Sequence, residues 1–346
     1  MGNNPYSLTF GKIPYELISR SNEIGEMIDN FNSETPNTSV YIITGVRGSG
    51  KTVTMSAIIE KLKKDKKWIV ISLNANRDIL QSFASSLYEE TMMKPLFVEA
   101  GIGINTPIGV SFSSNGPVPD VEVQIKKMLN VAKKHKKRVM IAIDEATNDM
   151  NFKVFASSYQ MMLIEGLPVY LIMTGLYKNI NSLQNEKNLT FLYRAPKYEL
   201  KPLSIIAMSN NYKKNIDITE EEAVQMARLT KGYSYAFQVL GFLKCKTGKP
   251  IDEIIPEYDE MLERYCYEKI WSELTEREKE IMRLLVMSKD GRMKAKDIKK
   301  KTGLTDQSYP TYRKSLSMSG VIDTSDYGYC EIALPRFKEI IKRTEL

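Results

Sequence analysis

Short apolar runs alternate with amphipathic stretches over the first two hundred positions. The apolar runs, rich in β-branched and aromatic residues, lie at 40–44, 68–73, 139–143 and 169–173. Stretches with apolar residues at helical spacing lie at 18–31, 53–64, 78–92 and 121–137. Buried strands that alternate with helices form parallel sheets covered on both faces. The pattern therefore predicts an α/β fold built on a parallel sheet.

A segment rich in glycine, serine and proline interrupts this alternation at 101–120. Within it Ile102 and Ile104, and then Ile108, Val110 and Phe112, alternate with other residues. Such alternation predicts a hairpin or a pair of short strands. The segment is either a decoration at the sheet edge or a surface for a partner.

The second half of the chain is predominantly helical. A helical unit extends from about 204 to 266, and helices at 276–288, 294–302 and 308–320 follow it. Residues 321–323 and 329–334 then predict a hairpin around a turn at 325–328. Three helices followed by a two-stranded wing are typical of a winged helix-turn-helix. We therefore expect three domains, at 1–203, 204–266 and 267–346.

The pattern G-x-x-x-x-G-K-[ST], here called the P-loop, occurs between the first predicted strand and the following helix. Its residues are Gly45, Val46, Arg47, Gly48, Ser49, Gly50, Lys51 and Thr52. Glycines let the backbone approach a phosphate chain, and loop amides with a helix N-terminus bind the anion. In this pattern Lys51 reaches the β- and γ-phosphates and Thr52 holds Mg²⁺. The motif predicts a site for ATP with Mg²⁺.

Polar residues follow the third and fourth predicted strands. Asp144 is placed to bind Mg²⁺, and Glu145 to polarise the water that attacks the γ-phosphate. The alternative is an acidic helix cap. Thr174 either orients that water or is a turn residue at a strand end. Arg194, expected in a loop, is either an arginine finger for a neighbouring subunit's nucleotide or a solvent-facing or ion-paired residue.

Composition excludes several other classes. The 346 residues are 42% hydrophobic and 26% charged, as in globular proteins. Three scattered cysteines fit a reducing cytosol. The only histidine, His135, lies in a basic run, so histidine catalysis is not expected. No apolar run approaches a membrane span and the N-terminus lacks a signal-peptide pattern, so we expect a cytoplasmic protein without a membrane partner.

The net charge of +7 is compatible with nucleic acid as a partner but does not establish it. Candidate contacts to duplex DNA are Arg313 and Lys314 on the third helix of the C-terminal domain, and Lys299 and Lys300 on the helix before it. In a helix-turn-helix the third helix enters the major groove while neighbouring cations hold phosphates. Winged helices also contact proteins, and that alternative stays open.

Taken together, these motifs resemble an AAA+ ATPase, and most closely the bacterial and archaeal ATP-binding proteins related to origin-recognition initiators and signal-transducing NTPases. Further likenesses are the N-terminal segments 10–14 and 18–20, the lid motif Gly-Tyr-Ser-Tyr-Ala-Phe-Gln at 232–238, and segments 312–316 and 333–337. The resemblance implies that Ile13 and Pro14 lie against the adenine. It also departs from the family: Lys231 and Gly232 stand where many AAA+ proteins carry a lid arginine, and Ser234 replaces the usual proline.

The resemblance implies an α/β P-loop fold of AAA+ type with a helical lid and a C-terminal winged helix. We expect a Mg²⁺-dependent ATPase that acts as a nucleotide-controlled switch on duplex DNA. The alternative is a signalling or scaffold ATPase whose C-terminal domain contacts protein. A homo-oligomer or a protein partner is compatible with either expectation.

Overall fold

The computed structural model describes residues 4–9, 18, 20–102, 120–187 and 189–345. The described chain divides into two compact units. One contains residues 20–44 and 54–199, and is called the sheet unit. The other contains the described residues up to 18, residues 45–53 and residues 200–345, and is called the P-loop unit. Each unit has its own hydrophobic core.

A parallel sheet forms the centre of the sheet unit, and its described strands follow the order β2-β3-β4-β1-β5. Every residue of β1 and β4 is buried, as expected for inner strands covered on both faces. The edge strand β2 contains exposed residues between buried ones, and the edge strand β5 is short. Both features limit pairing with other chains. The strands are β1 Val40–Thr44, β2 Trp68–Asn74, β3 Arg138–Asp144, β4 Val169–Gly175 and β5 Lys197–Glu199.

Helices follow the strands and bury apolar side chains. Phe83 of α3 and Phe152 and Phe155 of α6 are fully buried in the same core as the strands. Asp78 and Asp149 cap these two helices by accepting hydrogen bonds from backbone N–H groups of the first turn. The helices are α1 Ser21–Asn32, α2 Lys51–Lys63, α3 Ile79–Tyr88, α4 Lys94–Glu99, α5 Val121–Lys134, α6 Met150–Ile164, α7 Tyr177–Gln184 and α8 Thr190–Arg194.

Helices also build the first part of the P-loop unit, and the N-terminal residues 4–9 pack against them. The side chain of Asn4 donates to Phe242 O at 3.0 Å, and Ser7 N donates to Gln238 Oε1 at 3.1 Å. The elements are α9 Ile205–Asn215, α10 Glu220–Leu229, α11 Ser234–Thr247, α12 Ile251–Leu262, a π-helical turn Glu263–Tyr267 and α13 Glu268–Glu273.

The C-terminal segment combines helices with a small antiparallel sheet of order β6-β8-β7 in the described residues. Thr275 and Glu278 form a reciprocal capping box at the start of α14. A bidentate pair joins Arg336 to the buried Asp259 of α12, at 2.9 and 2.7 Å. The elements are α14 Glu276–Met287, β6 Arg292–Lys294, α15 Ala295–Thr302, α16 Tyr309–Met318, β7 Ile322–Asp323, β8 Tyr329–Ile332 and α17 Phe337–Thr344.

Most predicted elements are present, with some differences. The helix predicted at 78–92 ends at Tyr88, and α4 starts separately with Pro95 in its first turn. Helices α6, α7, α8 and α17 and strand β6 were not predicted, and the three residues of β6 are too few for a period to show. The hairpin predicted within 101–120 lies almost wholly outside the described residues. Among the helices that the structure describes, none has the length and apolarity that a membrane crossing requires.

Candidate functional site

The P-loop backbone is built around two glycines in the left-handed region. Gly48 has φ 78° and Gly50 has φ 92°, conformations that side chains rarely adopt. Ser49 N donates to Val46 O at 3.1 Å, which closes a tight turn before α2 begins at Lys51. A loop of this kind that leads into a helix N-terminus is a ready anion site. The backbone therefore fits a phosphate chain.

The ammonium group of Lys51 lies over this loop. Its Nζ donates to Gly45 O and to Val46 O, both at 3.1 Å. Thr52 follows on the first turn of α2. The residues present fit a nucleotide phosphate with a magnesium ion. The Lys51 cation and the glycine amides suit the phosphate, and the Thr52 hydroxyl oxygen suits the magnesium ion.

Residues far along the chain hold the opposite side of the P-loop. Three consecutive residues of the motif at 232–238 donate hydrogen bonds to three consecutive backbone carbonyls of the P-loop. Tyr233 Oη donates to Arg47 O at 2.5 Å. Tyr235 N donates to Gly48 O at 3.1 Å, and Ser234 Oγ donates to Ser49 O at 2.9 Å. An ion pair joins Arg47 Nη2 to Glu273 Oε1 at 3.0 Å. No individual role was expected from the sequence for Tyr233, Ser234 or Glu273; the signals were the likeness of residues 232–238 to the lid motif and the departure at Ser234.

Burial raises the pKa values of two side chains at this contact. Burial raises the pKa of the Tyr233 hydroxyl far above its usual value, so it stays a donor at neutral pH. Burial also raises the pKa of the neighbouring Cys266 thiol. The hydrogen bond with Tyr233 and the charges of Arg47 and Lys51 act in the opposite direction on that thiol.

In the sheet unit, the ends of β3 and β4 bring Asp144, Glu145 and Thr174 together. The buried Thr174 hydroxyl donates to Asp144 Oδ1. Glu145 N donates to Asp144 Oδ1 and Thr174 Oγ1, both at 3.2 Å. Glu145 has φ 55°, a left-handed conformation that costs energy outside glycine, and its side chain is exposed. Thr174 therefore orients the Asp144 carboxylate through its hydroxyl proton.

The structure describes Arg194 but not the two residues that the resemblance placed against the adenine. Arg194 is exposed and is the last residue of α8, so the prediction of a loop at this position was wrong. A helix of five residues is too short for a sequence period to show. Ile13 and Pro14 lie outside the described residues.

The candidate DNA contacts divide into two pairs. Arg313 Nη2 donates to Thr324 O at 3.3 Å, and Lys299 is paired with Asp306. Lys300 and Lys314 are exposed to solvent. The first pair therefore has partners within the C-terminal segment, while the second pair faces outward.

Comparisons with known proteins define the class. Residues 17–165 match the family described as an ATPase domain predominantly from Archaea, and residues 264–341 match a domain of unknown function, DUF8462. No curated protein sequence matches the chain. The fold is similar to that of the Aeropyrum pernix ORC2 protein in its ADPNP-ADP complexes (TM-score 0.63, 15% identity, 97% of this chain and 96% of that one). It is also similar to Cdc6p from Pyrobaculum aerophilum (TM-score 0.50, 13% identity, 97% and 96% covered).

The ATPase domain expected from the motifs is confirmed for residues 17–165. The fold is the AAA+ fold expected from the sequence, shared with these two archaeal structures.

Proposed function

We propose that this ATPase is a Mg²⁺-dependent switch whose C-terminal segment associates with duplex DNA. The observation that carries the proposal is the P-loop itself: left-handed Gly48 and Gly50, and Lys51 folded over the loop at the start of α2. The similar Aeropyrum pernix protein was solved in ADPNP-ADP complexes, which supports adenine nucleotides as ligands here.

Each residue of the proposed site has one role. Residues 45–52 bind the phosphates through backbone amides and Lys51. Thr52 and Asp144 would supply hard oxygen ligands for Mg²⁺, and the charge of that ion would offset the charge of the phosphates. Glu145 polarises the attacking water as the general base. Thr174 holds the Asp144 carboxylate, and Ile13 and Pro14 contact the adenine, as the family resemblance implies.

Two substitutions test the nucleotide chemistry. Lys51→Ala should abolish ATP binding, because the loop then lacks its cation. Glu145→Gln should still bind ATP but not hydrolyse it, since the amide cannot accept the proton of water. Calorimetry with ATP and a phosphate-release assay measure the two steps. Undiminished hydrolysis by Glu145→Gln would remove Glu145 as the base.

Exposed cations on the C-terminal segment support association with DNA. Lys300 on α15 and Lys314 on α16 face solvent, as residues that contact phosphates must. We expect duplex affinity that falls steeply with salt, because each neutralised phosphate releases counterions. In Lys300→Glu and Lys314→Glu the salt slope should fall by about 0.9 for each phosphate that the lysine no longer neutralises.

A fluorescence-anisotropy titration of a DNA duplex at two salt concentrations, with and without ATP, measures this. The matched control is Lys178→Glu, which makes the same charge change at an exposed site on α7. If Lys300→Glu and Lys314→Glu bind duplex like the control, association through this segment is refuted.

One observation favours a protein partner instead. The turn between β7 and β8 carries Asp326 and the almost fully exposed Tyr327, and Asp323 precedes it. Asp326 is ion-paired with Arg292, whereas the carboxylate of Asp323 repels a phosphate backbone, and an exposed tyrosine suits a protein interface. Under this second function, nucleotide state controls assembly.

Light scattering of Glu145→Gln with and without ATP, in the absence of DNA, tests assembly. ATP-dependent self-association without duplex affinity supports the second function, and a monomer under all conditions counts against it. Arg194→Ala should slow hydrolysis only at protein concentrations that allow self-association, if Arg194 acts on a neighbouring subunit's nucleotide.

A further inference from the structure

The motif at 232–238 presents three donors to the P-loop, and none of the three is a charged group. Tyr233 and Ser234 use their hydroxyls and Tyr235 its backbone N–H. All three acceptors are backbone carbonyls, so the contact is independent of the side chains at 47–49. It acts on the conformation of the loop.

We propose that Tyr233 and Ser234 are positioning residues that hold the P-loop backbone in its phosphate-binding conformation. The inference rests on the proposed function, because it concerns the same nucleotide site. It adds a role for the lid motif that involves no direct contact with the nucleotide.

In a trans peptide plane the C=O of one residue and the N–H of the next point in opposite directions. Hydrogen bonds that hold the carbonyls of Arg47 and Ser49 toward the motif therefore turn the amides of Gly48 and Gly50 to the opposite side. Those amides belong to the two left-handed glycines, which are the parts of the loop best suited to an anion.

Burial makes the hydrogen bond costly to remove. Tyr233 is 6% exposed, and the hydrogen bond from its hydroxyl to Arg47 O is partly buried. Removing the hydroxyl takes away the donor that the motif supplies to this carbonyl, and a lost hydrogen bond costs more where water has limited access. A Cβ atom at Gly48 would overlap the same hydroxyl, so the tyrosine also restricts position 48 to glycine. The tyrosine and the loop are mutually fitted.

Ser234 makes the arrangement specific to this chain. Proline, the residue of the resembling family at this position, has neither a hydroxyl nor an N–H to donate. Ser234 Oγ instead donates to Ser49 O at 2.9 Å. The departure from the family pattern thus adds a direct hydrogen bond between α11 and the P-loop.

The test compares two tyrosines from which the same group is removed. Tyr233→Phe removes the hydroxyl that holds Arg47 O. Tyr212→Phe removes a buried hydroxyl that donates to Phe237 O at 2.8 Å, a carbonyl of the same motif that makes none of the three contacts with the P-loop. We expect the Kd for ADP to rise about tenfold in Tyr233→Phe, the effect of one lost and partly buried hydrogen bond, and to stay within about twofold in Tyr212→Phe.

Ser234 supplies a second pair of variants that changes burial little. Ser234→Ala should weaken ADP binding about threefold to tenfold, since it removes one half-buried hydrogen bond. Ser234→Thr keeps the hydroxyl and should restore the affinity. These variants decide the question if Tyr233→Phe does not fold, and circular dichroism checks the fold of each protein.

Isothermal titration with ADP separates the outcomes. A wild-type protein that fails to bind ADP overturns the proposed function and this inference with it. Wild-type affinity in both Tyr233→Phe and Ser234→Ala overturns the inference alone. Equal weakening by Tyr233→Phe and Tyr212→Phe also overturns it, because the weakening would then reflect general destabilisation.

Discussion

Replacing Thr174 by valine removes a hydroxyl and nearly preserves the volume of a fully buried side chain at the end of β4. Two hydrogen bonds disappear: the one donated to Asp144 Oδ1 and the one accepted from Glu145 N at 3.2 Å. Asp144 loses the hydroxyl donor from the neighbouring strand but keeps the backbone donor Glu145 N. The perturbation therefore isolates the link between the two strand ends.

The structure sets the size of the effect. A hydrogen bond to a carboxylate contributes about 1.5–3 kcal/mol, and Asp144 lies at the low end because it is only half-buried. The bond from Glu145 N is long and partly replaceable by the adjacent Asp144 oxygen. We expect a decrease of about 2 kcal/mol in the free energy of unfolding. Hydrolysis should fall by roughly 100-fold through misplacement of the carboxylate, while ADP affinity stays unchanged.

Urea unfolding, phosphate release and ADP calorimetry measure these three quantities. The matched control is Thr302→Val in α15, which removes a buried hydroxyl that donates to Ile298 O at 2.9 Å. The control should be less stable by about 1 kcal/mol and keep its turnover. Full turnover in a folded Thr174→Val protein would refute the role of Thr174 in orienting Asp144.

Three further changes have definite expected outcomes. Arg336→Gln should lower the free energy of unfolding by about 3 kcal/mol because it leaves the buried Asp259 carboxylate unpaired, whereas Arg343→Gln, at a pair whose arginine is half-exposed, should cost at most about 1 kcal/mol; equal decreases in urea melts would contradict this. Gly232→Ala should cost about 1–3 kcal/mol, since φ is 77° and the new Cβ meets a backbone oxygen at 2.7 Å; a wild-type melting temperature would refute it. Native alkylation read by mass spectrometry should label Cys245 before the two buried thiols, and simultaneous labelling of all three would show that the core is open.

Local patterns were enough for much of the fold. The apolar runs at 40–44 and 169–173 marked β1 and β4 because buried inner strands need unbroken apolar sequences. Thr275 and Glu278 marked the start of α14 because both capping partners lie within one turn. The P-loop was recognised from eight consecutive residues, because the glycines that a phosphate-binding loop needs are part of that local pattern.

Tertiary structure decided what depends on distant partners. Asp144 and Thr174 were each expected at a strand end, but their hydrogen bond exists because β3 and β4 are neighbours in the sheet, which no local pattern encodes. The contact of Tyr233 with the P-loop spans 186 residues of sequence. Likewise, the partners of Lys299 and Arg313 became visible only after folding. Sequence periodicity indicates which face of a helix or strand is buried. Which group packs against that face is set by the packing of the whole unit.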